Sequence, residues 1–434
     1  MLTRLRRAAR ELVKPDSPAS EREGAPKRHR EAARPVVPVP VQEVFDPSCP
    51  SGPILQVDRC PVCGSSDATP HVCRYNKFVT YERMPDAAAP VYEFSLCHQC
   101  GIVYATRRPS GARYDWLLEH FEETIGRAAL GEQRSGKLTL SSYALTDEMR
   151  ENLKGLAARG VFVSDHSGVT RKEFVPTLMV DRFANAVHVE LIGSLIPLQN
   201  ARVLEVRSRL GGISAALHRL YNADCSVMTL FENQQFLIHE VYGFPTRSPI
   251  DFDEFSIPFE GSFDLIVAKH MFTHAVHPRA FLETIRHHLR PGGHLYIYSE
   301  FVEAEFLDEP HSMFNTMNPF HMQTFNTSSA VRALEANGFE MIFCTMIDGH
   351  LAALARMMEE VPSDWTRMPD DERKRRTRLY RIAADLAVLQ MPEALRGRVA
   401  DEWDGALARS VANGTAEVLK GGRIKVQAPK EAKR

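Results

Sequence analysis

Arg202-Val-Leu-Glu-Val206 reads as a short apolar strand, and Gly211-Gly212 follows it as a turn. The residues after the turn place their apolar side chains on one face of a helix, namely Ile213, Ala216, Leu217 and Leu220. A strand, a glycine turn and a helix in this order are typical of the start of a βαβ unit. We therefore expect an α/β domain to begin at this strand.

The downstream sequence continues the alternation of strands and helices. Apolar runs predict strands over Ser226–Phe231, Phe263–Ala268 and His294–Ser299, and a helix over Pro278–Leu289 precedes the last of them. This spacing predicts an α/β fold with a doubly wound, Rossmann-like parallel sheet. Ligands of such sheets bind at the carboxyl ends of the strands.

Two cysteine pairs with metal-knuckle spacing lie upstream, Cys60-Pro-Val-Cys63-Gly64 and Cys97-His-Gln-Cys100-Gly101. The glycine after each second cysteine lets the backbone close around a tetrahedral ion. Disulfides or a thioredoxin-like redox pair are the alternatives, but two matched units with the same glycine favour zinc. Four thiolates fill a tetrahedral shell, so the predicted role of the zinc is structural.

The sequence around the knuckles predicts a small β-rich zinc ribbon. Tyr92–Leu96 alternates as a strand directly before the second knuckle, and Ile102–Ala105 is the expected return strand. Cys73 and His98 lie nearby and are expected not to bind the metal.

Composition limits the classes of protein and partner. The 434 residues exceed one typical domain, and 44% hydrophobic residues are enough for a sizeable core. Lys and Arg total 53 against 55 Asp and Glu, so we expect no nucleic-acid partner. No apolar run reaches the roughly 20 residues that span a bilayer, and reduced knuckle thiols predict a cytoplasmic location.

Domain boundaries follow from these patterns. Residues 1–14 form a short basic amphipathic stretch, for which weak contact with a membrane surface or a partner is weighed against a solvated tail. The predicted units are a basic and Pro-rich arm over 1–50, a zinc module over 56–108, a helical connector or cap over 112–198, the α/β domain over 199–348, and a helical extension with a basic tail over 351–434.

The α/β segment resembles the class I S-adenosylmethionine-dependent methyltransferases over residues 202–344. The matching features are Val203-Leu-Glu-Val206, the acidic end Phe231-Glu232, Ile257–Ile266, Leu289-Arg-Pro-Gly-Gly293, and the late helix and strand around Phe325–Phe339. A zinc module before such a domain is similar to the sugar C-methyltransferases. The resemblance implies methyl transfer from S-adenosylmethionine to a small acceptor, a nucleotide-linked sugar or another glycan precursor.

The resemblance also implies a cofactor site at the carboxyl ends of the strands. Glu232 ends the second strand, where an acidic side chain accepts both ribose hydroxyls. Asp253 would contact the adenine amino group, and Glu205 would orient the first loop or the methionine amine. Gly211 and Gly212 would form the turn, and His270, after the third predicted strand, is a further cofactor-binding candidate.

The first loop departs from the family pattern at two positions. The family has glycine at the second, fourth and sixth positions after the acidic residue, and these positions are Arg207, Arg209 and Gly211 here. A left-handed backbone at an arginine costs roughly 1 kcal/mol or more. Either the loop is rebuilt around the cofactor, or the chain is a catalytically degenerate fold that acts as a binding or scaffold protein.

His274 and His321 are two separate candidates for acid-base chemistry, because an imidazole takes a proton near neutral pH. His274 follows the third predicted strand, and His321 lies in Asn318–Phe325, which resembles a loop that closes over the acceptor. The alternative for His274 is a helix-capping or packing role. Methyl transfer depends mainly on holding the nucleophile and the methyl group in line, and a base matters most for a carbon nucleophile.

Overall fold

The described part of the chain, in this computed structural model, comprises residues 54–73, 92–109, 114, 151, 182–208, 211–229, 235, 237–248, 250–300, 321–347, 350–363, 365–389, 400–419 and 424–426. The predicted arm over 1–50, most of the predicted connector, Arg209 and Glu232 lie outside these residues.

The ribbon begins with short strands that frame the two knuckles. Their bounds are β1 Ile54–Gln56, β2 Ala68–Cys73, β3 Tyr92–Cys97, β4 Val103–Ala105 and β5 Arg107–Pro109. Strands β2, β3 and β4 pair antiparallel in sequence order, as the predicted strand and return strand require. The β-rich ribbon expected from the sequence is therefore present.

The strands after the ribbon belong mainly to a larger sheet. Their bounds are β6 Arg202–Val206, β7 Asp224–Met228, β8 Thr246–Arg247, β9 Phe263–Lys269, β10 Leu289–Glu300, β11 Gln323–Thr324, β12 Phe339–Ile347, β13 His350–Met357, β14 Ala416–Val418 and β15 Ile424–Val426. Within the described residues the central sheet has the order β12-β13-β10-β9-β6-β7-β8. Strands β6 to β10 of this sheet run parallel, and the β12–β13 hairpin adds the antiparallel edge.

Helices cover both faces of the central sheet. Their bounds are α1 Arg182–Leu195, α2 Gly212–Tyr221, α3 Pro278–His288, α4 Thr327–Ala336, α5 Asp370–Leu389 and α6 Ala400–Ala412. On one face Val203 packs with α1 and α2, and on the other Leu204 packs with α3, α4 and the ribbon cysteines. Neighbouring side chains of a strand point to opposite faces, so β6 serves both cores. The doubly wound α/β fold predicted from the sequence is confirmed.

The ribbon and the central domain are joined by strand pairing. Strand β11 follows His321 and pairs antiparallel with β4, with Gln323 opposite Tyr104 and Thr324 opposite Val103. The ribbon sheet therefore has the order β11-β4-β3-β2, and one of its edges is a segment of the central domain.

The region after Leu351 differs from the prediction. A helical extension was expected from this residue, but His350–Met357 is β13, between β10 and β12. The sequence of β13 is rich in Ala and Leu, which favour helices, and residues 351 to 355 are fully buried. Tertiary burial outweighs the local preference here, and the helical extension begins at Asp370.

The helical extension has a small core of its own. Leu386 of α5 and Ala406 of α6 are fully buried in it, and the β14–β15 hairpin follows. None of the helices in the described ranges is both long enough and apolar enough to cross a membrane.

Candidate functional site

The crevice lies where the central parallel strands end. Val206 of β6 lies opposite Met228 of β7 and Ala268 of β9, so the carboxyl ends of the three strands share one edge. The next residues have left-handed backbones, with φ of 60° at Arg207 and 49° at His270. In such sheets the ligand binds in a crevice at the carboxyl ends of the parallel strands.

Arg207 adopts the backbone conformation for which the family uses glycine. Its side chain is buried, and its Nη1 donates a hydrogen bond to the carbonyl oxygen of His270. The guanidinium carbon lies 5.9 Å from the ring centroid of Phe252. The arginine thus links the end of β6 to the end of β9 and lies within the crevice, and the left-handed backbone costs roughly 1–2 kcal/mol.

Glu205 holds the start of α2. The side chain is fully buried, and its Oε2 accepts hydrogen bonds from the Ser214 backbone N–H at 2.8 Å and the Ser214 hydroxyl at 2.6 Å. This arrangement agrees with a loop-orienting role for the carboxylate. Binding of the methionine amine by Glu205 stays a prediction.

The glycine turn before α2 has the geometry expected of it. Gly211 has φ of 68° and donates its N–H to the Ser208 hydroxyl at 2.8 Å. A Cβ at Gly211 would lie 3.1 Å from Cγ1 of Ile238, closer than most side-chain contacts. Gly212 follows as the first residue of α2 and is buried.

Asp253 lies in a turn beside the crevice. The backbone N–H groups of Asp253 and Glu254 both donate to Oδ1 of Asp251, at 2.8 and 2.9 Å. The turn places Phe252 in the core, against the ring of His274 at 6.0 Å between centroids. The predicted role of Asp253 toward adenine and that of Glu232 toward ribose stay predictions.

The two predicted catalytic histidines lie side by side. The rings of His274 and His321 are 4.8 Å apart between centroids with an interplanar angle of 80°, and both side chains are buried. The hydroxyl of Tyr114 lies 3.3 Å from Nδ1 of His274 and donates to the His274 carbonyl oxygen at 3.0 Å. Tyr114, His274 and His321 are far apart along the chain, so their contact could not be predicted from the sequence.

His270 belongs to a different aromatic group. Its ring centroid lies 5.5 Å from that of Tyr298 and 5.2 Å from that of His350. His277 is the residue before α3, and its side chain makes no capping hydrogen bond. The candidate histidines therefore separate into the buried pair of His274 and His321 and two residues, His270 and His277, with other surroundings.

Arg108 ties the ribbon to both histidine loops and was not predicted. This fully buried guanidinium donates to the carbonyl oxygens of Ala105 at 3.0 Å, Val276 at 2.7 Å and Met322 at 3.0 Å. Val276 follows His274 by two residues, and Met322 follows His321 directly. Burial lowers the pKa of Arg108 to about 10, so the side chain stays charged at neutral pH.

Gln323 of β11 holds the same loop from the other side. Its side-chain amide donates to the carbonyl oxygen of Ala275 at 2.9 Å and to that of Phe272. The residues on either side of Arg108 and Gln323 form no motif that indicates these long-range hydrogen bonds. Neither residue was therefore predicted from the sequence.

The four knuckle cysteines form one cluster in the ribbon. Their sulfur atoms all lie within 4.8 Å of one another, with Cys60 to Cys100 at 3.6 Å and Cys63 to Cys97 at 3.5 Å. A tetrahedral zinc site with metal–sulfur bonds of 2.3 Å has sulfur–sulfur edges of about 3.8 Å. The donor type and spacing therefore fit zinc.

The knuckle turns have the predicted glycine geometry. Gly64 and Gly101 have φ of 74° and 80°. Each donates its backbone N–H to the carbonyl oxygen of the first cysteine of its knuckle, at 2.8 Å for Cys60 and 3.0 Å for Cys97. His98 is turned to Asp67 and Thr69, at 2.7 Å from each, rather than to the cysteine cluster.

Charged residues of α4 and α5 form a cluster beside the second knuckle. Arg332 of α4 donates its Nε–H to the Cys100 carbonyl oxygen at 3.0 Å and makes a two-point ion pair with Glu372 of α5. Arg376 lies 3.5 Å from the same carboxylate. Burial raises the pKa of Glu372, but the arginines lower it by more, so the carboxylate pKa lies below its usual range.

Comparison with known proteins defines the class of the central domain. A family model described as a methyltransferase domain matches residues 163–342. That range contains the parallel strands, the crevice and both candidate histidines. Residues 163–342 are therefore similar to a methyltransferase domain, and this similarity supports the enzyme class predicted from the sequence.

Three solved structures to which the chain is similar are described as methyltransferases. An S-adenosylmethionine-dependent methyltransferase from Mesorhizobium loti is 15% identical, with 38% of this chain and 95% of that chain covered and a TM-score of 0.32. The N-methyltransferase NodS from Bradyrhizobium japonicum is 16% identical, with 41% and 98% covered and a TM-score of 0.31. A 1,6-didemethyltoxoflavin-N1-methyltransferase from Burkholderia thailandensis is 17% identical, with 50% and 92% covered and a TM-score of 0.34. Comparison with curated proteins gives no match.

Proposed function

We propose that the chain methylates a small acceptor, a nucleotide-linked sugar or another glycan precursor, in a crevice that has the zinc ribbon as one wall. The observation that carries this proposal is Arg108, which joins the last ribbon strands to the loops of His274 and His321. A ribbon that only tethered a partner would need no such link to the candidate acid-base pair.

S-adenosylmethionine, when bound, supplies a sulfonium-linked methyl group. Glu205, Gly211 and Gly212 shape the loop that would hold its methionine part. Asp253 and Glu232 are the residues proposed for its adenosine part, and His270 borders the same edge of the sheet. The remaining chemistry belongs to the acceptor side of the crevice.

His274 and His321 are proposed to accept the proton that the acceptor loses. A neutral imidazole takes a proton near pH 7. Tyr114 fixes the orientation of His274 through its hydroxyl. Oxygen and nitrogen acceptors need this assistance less than a carbon acceptor does.

The four cysteines are proposed to hold a structural zinc ion. The ion would fix the knuckles, and through β3, β4 and Arg108 it would fix the histidine loops. Under this proposal zinc takes no part in the chemical step, since four thiolates leave no open coordination position.

Calorimetry and labelled methyl transfer test the proposal together. Zinc-loaded protein is titrated with S-adenosylmethionine and S-adenosylhomocysteine, and then incubated with labelled cofactor and a set of nucleotide sugars. We expect micromolar binding and label transfer to at least one sugar. Binding without transfer to any sugar would overturn the acceptor class, and no retention at high micromolar concentration would overturn the cofactor assignment.

Substitution of the histidines tests their role. In His274→Gln and His321→Gln we expect kcat to fall by about 10²–10⁴-fold with an unchanged Kd for the cofactor. His287→Gln is the matched control, because His287 is an exposed histidine of α3. A loss of protein stability without a change in the pH profile of the remaining activity would assign His274 to packing instead.

Arg108→Lys tests the link between ribbon and crevice. A lysine keeps the charge but cannot donate to three carbonyl oxygens in one plane, so we expect kcat to fall by up to about 10²-fold with a smaller change in KM. Arg107→Lys is the control, since Arg107 is its exposed neighbour. Equal kinetics in the two variants would remove the argument for the ribbon as a wall of the site.

A methyltransferase fold that binds a ligand without transferring a group is the second candidate. Arg207 favours it, because the side chain lies in the crevice where the family has no side chain. Under this reading the guanidinium would bind an anion instead of yielding space to the cofactor.

A further inference from the structure

A basic cavity lies between the ribbon and α5, at a distance from the crevice. Its volume is about 540 Å³. The lining residues are Thr69, His98, Arg373, Lys374, Thr377, Arg378, Arg381, Ile382 and Asn413. Cavities of about 300–1,000 Å³ are typical of small-molecule sites.

The cationic side of the cavity is one stripe of α5. Arg373, Thr377 and Arg381 follow one another at intervals of four residues, and Lys374 and Arg378 run beside them. The lining therefore holds four cations and no carboxylate. Like charges along one helix face repel, so this arrangement is stabilised when an anion binds.

Acidic groups near the cavity are already paired with cations, and one of these cations, Arg373, lines the cavity. Asp370 pairs with Arg373 at 2.9 Å through Nη2. Asp67 binds Nδ1 of His98 at 2.7 Å and Arg367 at 3.0 Å. Within the described residues, Nε of Arg373 is buried and has no hydrogen-bond acceptor.

Neutral donors complete the lining. The hydroxyls of Thr69 and Thr377 and the side-chain amide of Asn413 border the cations. Thr69 lies 2.7 Å from Nε2 of His98, so the ribbon side of the cavity is fixed by hydrogen bonds. Guanidinium groups with adjacent hydroxyls match the oxygens of a phosphate group.

The cavity lies at the far edge of the ribbon sheet from the crevice. Thr69 belongs to β2, whereas β11 next to His321 is the opposite edge of the order β11-β4-β3-β2. Three strand spacings separate these edges, which is about 14 Å. A ligand here is therefore outside the methyl-transfer crevice.

We propose that this cavity binds the diphosphate group of a small molecule, such as a nucleoside diphosphate. The four cations of the lining exceed the one carboxylate, Asp370, that pairs with Arg373, so the cavity matches a compact anion with more than one negative charge, and its volume admits a nucleotide. The site is independent of the function proposed for the crevice.

Titration calorimetry on the zinc-loaded, 434-residue protein tests this site. The probes are inorganic phosphate, pyrophosphate and uridine diphosphate, at low and high salt. We expect pyrophosphate and uridine diphosphate to bind more tightly than phosphate, and all to weaken with salt. Tighter binding of uridine diphosphate than pyrophosphate would show that the nucleoside is also held, and equal binding would show recognition of the diphosphate alone; both outcomes support the site.

Charge-neutral variants locate the binding. In Lys374→Gln/Arg381→Gln we expect the Kd for pyrophosphate to rise at least about tenfold. Arg375→Gln is the matched control, because Arg375 is an exposed cation of the same helix outside the cavity lining. Zinc content and the Kd for S-adenosylmethionine are expected to stay unchanged in all variants, which separates this test from that of the crevice.

Three results would overturn the proposal. One is the absence of binding for all three probes at millimolar concentration in low salt. Another is the same loss of affinity in Arg375→Gln as in the cavity variant, which would indicate a general charge effect. The third is short single-stranded RNA that binds more tightly than uridine diphosphate and is as sensitive to Arg375→Gln, which would indicate a nucleic-acid surface.

Discussion

The ribbon and the central sheet are stabilised in different ways. The sheet buries alternate side chains of β6 and β9 against helices on both faces, and Val203, Leu204, Leu265 and Ile266 are fully buried. The ribbon also buries apolar side chains, such as Val62, Leu96 and Ile102, but it adds four clustered cysteines and a few long polar side chains that reach the central domain. Hydrophobic burial spreads stability over many residues, whereas a metal site or an ion pair concentrates it in a few.

This difference predicts where single substitutions act at a distance. A truncation in the sheet core costs stability in proportion to the volume removed. A truncation at a ribbon link breaks a directional contact between two parts of the molecule, and the histidine loops then lose their support. The following predictions compare the two regions in order of expected effect.

Loss of a cysteine ligand is expected to have the largest effect. In Cys60→Ser we expect the zinc content to fall to near zero and the ribbon to become sensitive to proteolysis, because zinc contributes roughly 10–16 kcal/mol to small knuckle folds. Metal analysis and limited proteolysis measure this. Cys344→Ser is the control, since Cys344 is a half-buried cysteine of β12 outside the cluster. Full zinc content in Cys60→Ser would show that the ribbon does not depend on a four-cysteine site.

Acid is expected to weaken the junction of ribbon and α5 through His71. This side chain packs against the ring of Tyr380 at 5.8 Å, and burial, followed by the charges of Arg381 and His98, lowers its pKa to about 4. A folded-state pKa below the unfolded value of 6.5 means that stability is complete above pH 6.5 and falls as the pH drops toward 4. The maximum loss is about 3 kcal/mol.

Unfolding by urea from pH 7.5 to 4.5 measures this loss. His71→Phe keeps a ring of similar size against Tyr380 and cannot be protonated, so its stability is expected to fall less steeply over the same range. Exposed His287→Phe is the comparison for effects of the substitution type. Parallel pH curves for the wild type and His71→Phe would contradict the assignment.

The buried ion pair below the second knuckle is expected to couple more strongly than an exposed pair in the sheet. A double-mutant cycle with Arg332→Met and Glu372→Gln is expected to give about 1–3 kcal/mol, because both side chains are largely buried and joined at two points. The exposed pair Arg356 and Glu340 joins β13 to β12 and is expected to give 0–1 kcal/mol. Equal coupling in the two cycles would remove the distinction between the regions.

The difference between features set by local spacing and features set by distant contacts explains what could be predicted from the sequence. The knuckles, their glycines and the strands β6 and β9 depend on local spacing, and they were found within one or two residues. Strand β13 was not predicted, since its alanines and leucines resemble a helix and only its place between two strands makes it extended.

The candidate site was predictable only in part, for the same physical reason. His274 and His321 were identified from their local segments, but their mutual contact depends on the β11–β4 pairing and on Arg108. Contacts between residues over 160 positions apart leave no pattern in a single sequence. Glu232 and Arg209 lie outside the described residues, so the roles predicted for them stay predictions.

At Arg207 the sheet region departs from the pattern of the methyltransferases that it resembles, and substitution of this residue has the smallest expected effect on stability. Arg207→Gly relieves a left-handed backbone, worth roughly 1 kcal/mol, and removes a charged hydrogen bond to the His270 carbonyl that is worth about as much or somewhat more. We therefore expect the urea midpoint to change little, within about 1 kcal/mol of the wild type.

The effect of Arg207→Gly on cofactor binding is expected to be larger and of definite sign. We expect the loss of the guanidinium to weaken S-adenosylmethionine binding about tenfold or more, because in a loop rebuilt around the cofactor the guanidinium stabilises the cofactor's carboxylate. Calorimetry with the wild type, Arg207→Gly and Arg207→Lys measures this, with the lysine expected to retain part of the affinity through its charge. A gain of affinity in the glycine variant would mean that the arginine obstructs the cofactor, and the second candidate function would then replace the first.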